Sequence, residues 1–309
     1  MARPIQIGDE VPVTVAQEEE ARDSRFKVLL REFRQDARWW CGVVLLIFSL
    51  AAIFAPQVSP YNPLTYHPAI VEQPPSWAHL LGTDSLGRDQ LSRVIYGARI
   101  SLSIGVISIL MGGMAGVILG MLAAYFKGWV DQLVVTITDA LLAFPSLILS
   151  LAILASLGPS LVNVAVALAV VRIPLYARLA RGQTLQVAAQ DYVAAAHSTG
   201  TKTARILRRH ILPNIFSPLL VQATLSISFA ILDESVLSFL GLGAQPPTPE
   251  WGSMITEAQT FIYSDPSMLL GPALAIVVVL LSLNILGDAL RDRLDPRDAR
   301  RLETQYRKS

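Results

Sequence analysis

The chain has 309 residues, of which 52% are hydrophobic and 16% charged, and its formal net charge is +1. A soluble domain of this length carries about a quarter charged residues, so the composition excludes an ordinary water-soluble enzyme. The charge sum gives no reason to expect a nucleic-acid partner. The single cysteine, Cys41, excludes an internal disulfide and any zinc or redox motif built on cysteine pairs.

Several apolar runs reach the roughly 20 residues that cross a bilayer. The expected fold is all-α: a polytopic membrane protein with six transmembrane helices. Residues 1–38 read as a cytoplasmic tail, too long and polar to be the charged start of a signal peptide. The first span is expected at 39–56, "WWCGVVLLIFSLAAIFAP", with Trp39 and Trp40 as interfacial anchors. An extracytoplasmic segment, 57–97, follows. In it Asp84 and Asp89 can cap a turn, while Leu91, Val94 and Ile95 share an apolar helical face, so an elbow helix along the membrane surface is expected.

Residues 98–290 read as a five-helix core. Its spans are expected at 98–126, 133–157, 161–179, 215–240 and 268–290. Gly112, Gly116 and Gly120 make a small-xxx-small ladder, which permits close backbone approach within one bundle or at a subunit seam. Pro145 and Pro174 should kink the third and fourth spans. Four ionisable residues at membrane depth, Asp139, Arg172, Asp233 and Glu234, are candidates for a pathway lining or interhelical ion pairs. Snorkelling or helix-end contacts are the alternative, favoured for Asp288 and, more mildly, for Asp139.

The cations set the orientation. Arg3 to Arg38 precede the first span, Lys127 follows the second, and Arg291 to Lys308 follow the sixth. Arg178, Arg181, Lys202, Arg205, Arg208 and Arg209 lie between the fourth and fifth, while the opposite side holds only Arg88 and Arg93. The positive-inside rule then puts both termini, including the tail 291–309, in the cytoplasm.

The longest cytoplasmic loop between spans is 181–214. "DYVAAAHST" should be helical, Gly200 suits the left-handed turn that ends a helix, and Thr201 can cap a second helix near Lys202–His210 that Pro213 stops. Such a basic amphipathic piece either lies on anionic lipid or docks a cytoplasmic partner. No lysine follows a glycine, so there is no phosphate-cradling GxxxxGK[ST] loop. The four histidines show no ligand spacing, and no metal or bound cofactor is expected.

Ala195-Ala196, Gly200 and then "HILPN" resemble the EAA loop of ABC-transporter permeases of binding-protein-dependent importers. "HLLGTDSLGRDQLSRVIYGARISL", "FPSLILSLAI", "ESVLSFLGLGAQPPTPEWGSMI" and "NILGDALRDRLDP" are similar to the C-type permease of dipeptide/oligopeptide (and nickel) importers. The resemblance implies the type I importer permease fold in a prokaryotic inner membrane. It also implies a B-type sister permease, two ATP-binding cassette subunits that carry the ATP and magnesium, and an extracytoplasmic substrate-binding protein. The loop would couple to the ATPases through Ala194, Ala195, Ala196, Gly200, Arg205, His210, Leu212 and Pro213, with Ala194 standing where the motif has glutamate. Asp84, Arg88 and Asp89 become candidate contacts for the binding protein. The implied substrate is a di- or oligopeptide, with nickel, glutathione or another small ligand as the alternative. A proton-coupled transporter using Asp139, Asp233 or Glu234, and a non-transporting scaffold, are the rival classes.

Overall fold

The computed structural model describes residues 37–263 and 265–294. The cations expected before Arg38 and after Leu294 lie outside the described residues. The chain divides into two compact units, Met1–Trp40 and Cys41–Ser309, and of the first only the opening turn of helix α1 is described.

The regular structure of the described residues is helical apart from an isolated antiparallel bridge between Thr83 and Asp89, while 59–89 and 240–250 run mostly as turns and loops. Helix α1 spans Ala37–Ile53 and is followed by the short α2, Ala55–Val58. Helix α3, Gln90–Phe126, begins well before the expected second span: Asp89 caps it by accepting from Ser92 N at 2.8 Å. Where a separate elbow helix was expected, Leu91, Val94 and Ile95 form the first turns of α3.

The third expected span is two helices, α4 (Gly128–Leu142) and α5 (Ser146–Leu157), bent by 93°. Pro145 sits at the break with φ −56° and ψ 134°. It has no N–H to offer, and its ring disfavours helical geometry at Phe144. Pro174 breaks nothing: α6 runs from Leu161 to Ala188 with that proline buried inside it. Then come α7 (Asp191–Ser198), α8 (Thr203–Ile206), a π-helical turn (Leu207–Ile211), α9 (Leu212–Phe239), α10 (Trp251–Gln259) and α11 (Ser267–Leu294).

Among the described residues, four helical stretches are long and apolar enough to cross a membrane: α3, α6, the continuous path Thr203–Phe239, and α11. The bent α4–α5 pair adds a fifth span, and α1 is a shorter apolar helix, so the arrangement is consistent with six.

The most extensive helix pair is α3 with α6. A Cβ at Gly112, Gly116 or Gly120 would run into the backbone carbonyl of Ala169, Ile173 or Ala177 respectively. The glycine ladder is therefore a seam inside this chain. In a bilayer, where apolar side chains gain little by leaving lipid, contact this close is what holds helices together.

Candidate functional site

The loop between α6 and α9 is built around Gly200. Its φ is +76°, and the Schellman pattern closes α7: Gly200 N donates to His197 O at 2.9 Å and Thr201 N to Ala196 O at 3.1 Å. Nothing lies within 4 Å of where a Gly200 Cβ would sit, so the demand for glycine is conformational.

Two expectations for this loop are corrected. Thr201 does not cap the second helix; Lys202 holds that position and makes no side-chain cap bond. Thr201 lies one residue before that position, and its Oγ1 sits 3.4 Å from Thr199 Oγ1 instead of accepting from the helix N-terminus. Nor does Pro213 stop a helix. The path from Thr203 continues to Phe239 through the π turn, where Leu212 N bonds Leu207 O. Pro213 comes just after that π turn, and Asn214 Nδ2 donates to the His210 carbonyl at 2.6 Å. The second arm of the loop is thus one helical rod with a span.

The loop is two-faced. Val193, Ile206 and Ile211 are buried in a cluster with Ile109, Met121, Tyr176 and Ile215, and Ala196, Leu207 and Leu212 pack against it. Ala194, Ala195, Lys202, Arg205, Arg208, Arg209 and Pro213 are exposed, and the half-buried His210 ring lies 6.2 Å from that of Tyr192. The apolar side that would otherwise sink into lipid is already consumed by the bundle, leaving a polar, basic outer face.

The ionisable groups at membrane depth are mostly paired. Arg172 Nη2 donates to Asp233 Oδ2 at 2.5 Å, and its guanidinium lies 6.0 Å from the Phe229 ring centroid. Arg178 pairs with Asp139 at 2.6 Å, and Arg181 grips both oxygens of Asp131 at 2.6 and 2.7 Å. These ties join α6 to α9 and to α4. Glu234, one residue beyond Asp233, turns to another side of α9 and is fully buried against Glu250 and Ser101. Asp288 is exposed near the end of α11.

At the opposite end of the bundle, Asp84, Arg88 and Asp89 are brought together inside the protein. Asp84 Oδ1 accepts from Leu86 N and Arg88 N at 2.9 Å, and Oδ2 takes Arg88 Nε at 2.6 Å as well as the Arg93 guanidinium. Arg88 and Arg93 each also reach Glu257 Oε2 at 2.9 Å. Asp89 accepts from Ser92 and lies 2.9 Å from His79 Nδ1. Asp84, Arg88 and Asp89 are 2 to 4% exposed. They tie the segment before α3 to α10, so their polar atoms are engaged within this chain and do not face outward.

Residues 116–299 match the family model for the binding-protein-dependent transport system inner membrane component, and residues 24–75 match that for the N-terminal TM domain of oligopeptide transport permease C. The chain belongs to this permease family. The permease is 43% identical over 255 residues to a dipeptide transport system permease of Alkalihalophilus pseudofirmus, covering 82% of this chain and 84% of that one. It is also 43% identical over 282 residues to a glutathione transport system permease of Pectobacterium atrosepticum, covering 89% and 94%. Among solved structures, an inward-facing crystal form of the methionine ABC transporter MetNI aligns with a TM-score of 0.53 at 18% identity, over 66% of this chain and 96% of that one. That likeness carries the fold: the type I importer permease architecture.

Three of the permease's structural residues escaped sequence reasoning. Tyr125, at the end of α3, places its hydroxyl 2.8 Å from His197 Nε2 in the loop. Trp251 is fully buried and donates to Val94 O at 3.0 Å. Glu257 closes the Arg88–Arg93 cluster. Only the "PEWG" context hinted at Trp251. Nothing local in the sequence marks Tyr125, because its partner lies 72 residues away.

Proposed function

We propose that the permease imports di- or oligopeptides as one half of a translocation path shared with a B-type sister permease. Two ATP-binding subunits carry the ATP and magnesium on the cytoplasmic side, and an extracytoplasmic binding protein delivers substrate from the other. The chain itself binds no nucleotide, in keeping with its lack of a phosphate-cradling loop. Both termini and the 181–214 loop face the cytoplasm, an orientation supported by the crowding of arginine and lysine at that end.

The observation that carries this reading is the two-faced loop. Its apolar side packs on its own helices, its basic side is open, and its second arm continues without a break into α9. A force applied at Arg205 or Arg208 would therefore pass along the rod to the Arg172–Asp233 tie between α6 and α9. ATP-driven closure of the partner subunits would rock α9 and α6, provided ATP and substrate bind the two states with different free energies.

Peptide is the leading substrate because relatives of that name cover most of the chain. Glutathione, itself a small peptide, is the second reading and is favoured by the relative that spans 89% of the chain. Purification of the tagged permease from native membranes tests the assignment. Two ATP-binding subunits, a sister permease and a peptide-binding protein should come with it. A permease that purifies alone and catalyses uptake on a proton gradient would overturn it.

A further inference from the structure

Among the described residues, two fully buried carboxyls have no role in the loop or in the ion pairs. Glu234, on α9, and Glu250, the capping residue of α10, are both fully buried. Glu250 is well served: Oε1 accepts from Gly252 N at 3.1 Å and Oε2 from Ala244 N at 3.4 Å. Glu234 is not. Its Oε2 takes one long bond from Ser235 Oγ at 3.4 Å, and its Oε1 has no hydrogen-bond partner.

The two carboxyls come from segments in direct contact: a Cβ at Gly252, two residues after Glu250, would run into the carbonyl oxygen of Ser235, the neighbour of Glu234. Ser101 of α3 and Ser235 of its own helix lie beside the Glu234 carboxyl. No lysine, arginine or histidine among the described residues pairs with either glutamate: Arg172 is taken by Asp233, and Arg88 and Arg93 by Asp84 and Glu257. Two ionised carboxylates this deeply buried, with no cationic side chain between them, would repel at short range, each carrying its own desolvation cost. Ionised carboxylates also only accept hydrogen bonds, so neither could satisfy the other. An unpartnered, fully buried Oε1 with no cationic side chain beside it suits a carboxyl that carries its own donor.

We infer that Glu234 and Glu250 form a one-proton site, in which Glu234 binds a proton and donates it in a hydrogen bond to the Glu250 carboxylate. Glu234 carboxylate plus one proton from water gives the carboxylic acid, and the pair keeps a single negative charge. That charge rests on Glu250, at the N-terminus of α10 and against the Gly252 and Ala244 amides, where helix and amide dipoles favour it. The bound proton staples α9 to α10. It stays in place, and the site needs no gradient.

Infrared difference spectroscopy of the complete transporter in lipid, against its Glu234→Gln variant, tests this. The wild type should show an unionised-carboxyl stretch that shifts in heavy water and is lost in the variant. The variant should assemble and transport as the wild type does, because the amide keeps a donor facing Glu250. Identical spectra for the two proteins would overturn the inference. So would failure of the Gln variant to assemble, or a wild-type stability that depends on sodium or potassium, which would make the bound particle a metal cation.

Discussion

The Tyr125 hydroxyl lies 2.8 Å from His197 Nε2, and the two rings stack at 17° with centroids 5.7 Å apart. The same hydroxyl is 3.5 Å from Thr203 Oγ1. One tyrosine at the end of α3 therefore touches both sides of the Gly200 bend and braces it against the bundle.

Removing that hydroxyl separates the hydrogen bond from the stacking. A neutral hydrogen bond contributes about 1 kcal/mol net, so Tyr125→Phe should leave the permease assembled but lower uptake per ATP hydrolysed by roughly fivefold. Parallel uptake and ATPase assays in proteoliposomes read this ratio, and an unchanged ratio would remove the brace.

Gly200 makes a sharper demand. At φ +76° a β-branched residue is penalised by about 1–2 kcal/mol, whereas asparagine tolerates the left-handed region. Gly200→Val should abolish uptake with the subunit still in the membrane, and Gly200→Asn should retain part of it. Equal activity in the two variants would show that the bend's conformation does not matter.

The Arg172–Asp233 pair is mostly buried, at 14% and 15% side-chain exposure. Removing one partner strands the other charge, at a cost of about 3–5 kcal/mol. Arg172→Gln or Asp233→Asn alone should lower the thermal midpoint of the detergent-solubilised permease clearly, and the double variant should recover most of the loss. Additive losses would mean the two residues do not act as a pair.

The glycine seam is testable by contrast. Gly116→Val pushes side-chain atoms into the Ile173 carbonyl and should prevent accumulation of folded permease, whereas Gly182→Ala, with open space around it, should be tolerated. Membrane abundance and monodispersity after extraction distinguish the two.

Much of this architecture is readable in the residues themselves. Apolar run length marks the spans, and the Gly200 bend follows from glycine's access to positive φ. Pairings across the sequence are not readable in the same way. Arg172 and Asp233 are visible singly as costly charges in lipid, but their contact depends on how α6 lies against α9. Asp84, Arg88 and Asp89 look like a polar surface because local pattern cannot reveal that Glu257 folds back to bury them. Pro213 misleads for a related reason: a π turn lies just before it and the helix continues past it, and nothing in the local pattern announces that turn.

The central claim is that the exposed basic face of the 189–211 segment meets an ATP-binding subunit. Arg205→Cys, cross-linked in native membranes, is the most direct measurement. The account predicts a covalent product between the permease and an ATP-binding subunit, with a yield that changes when nucleotide is added. A cysteine there that reacts only with lipid-phase reagents, and never with another polypeptide, would contradict it.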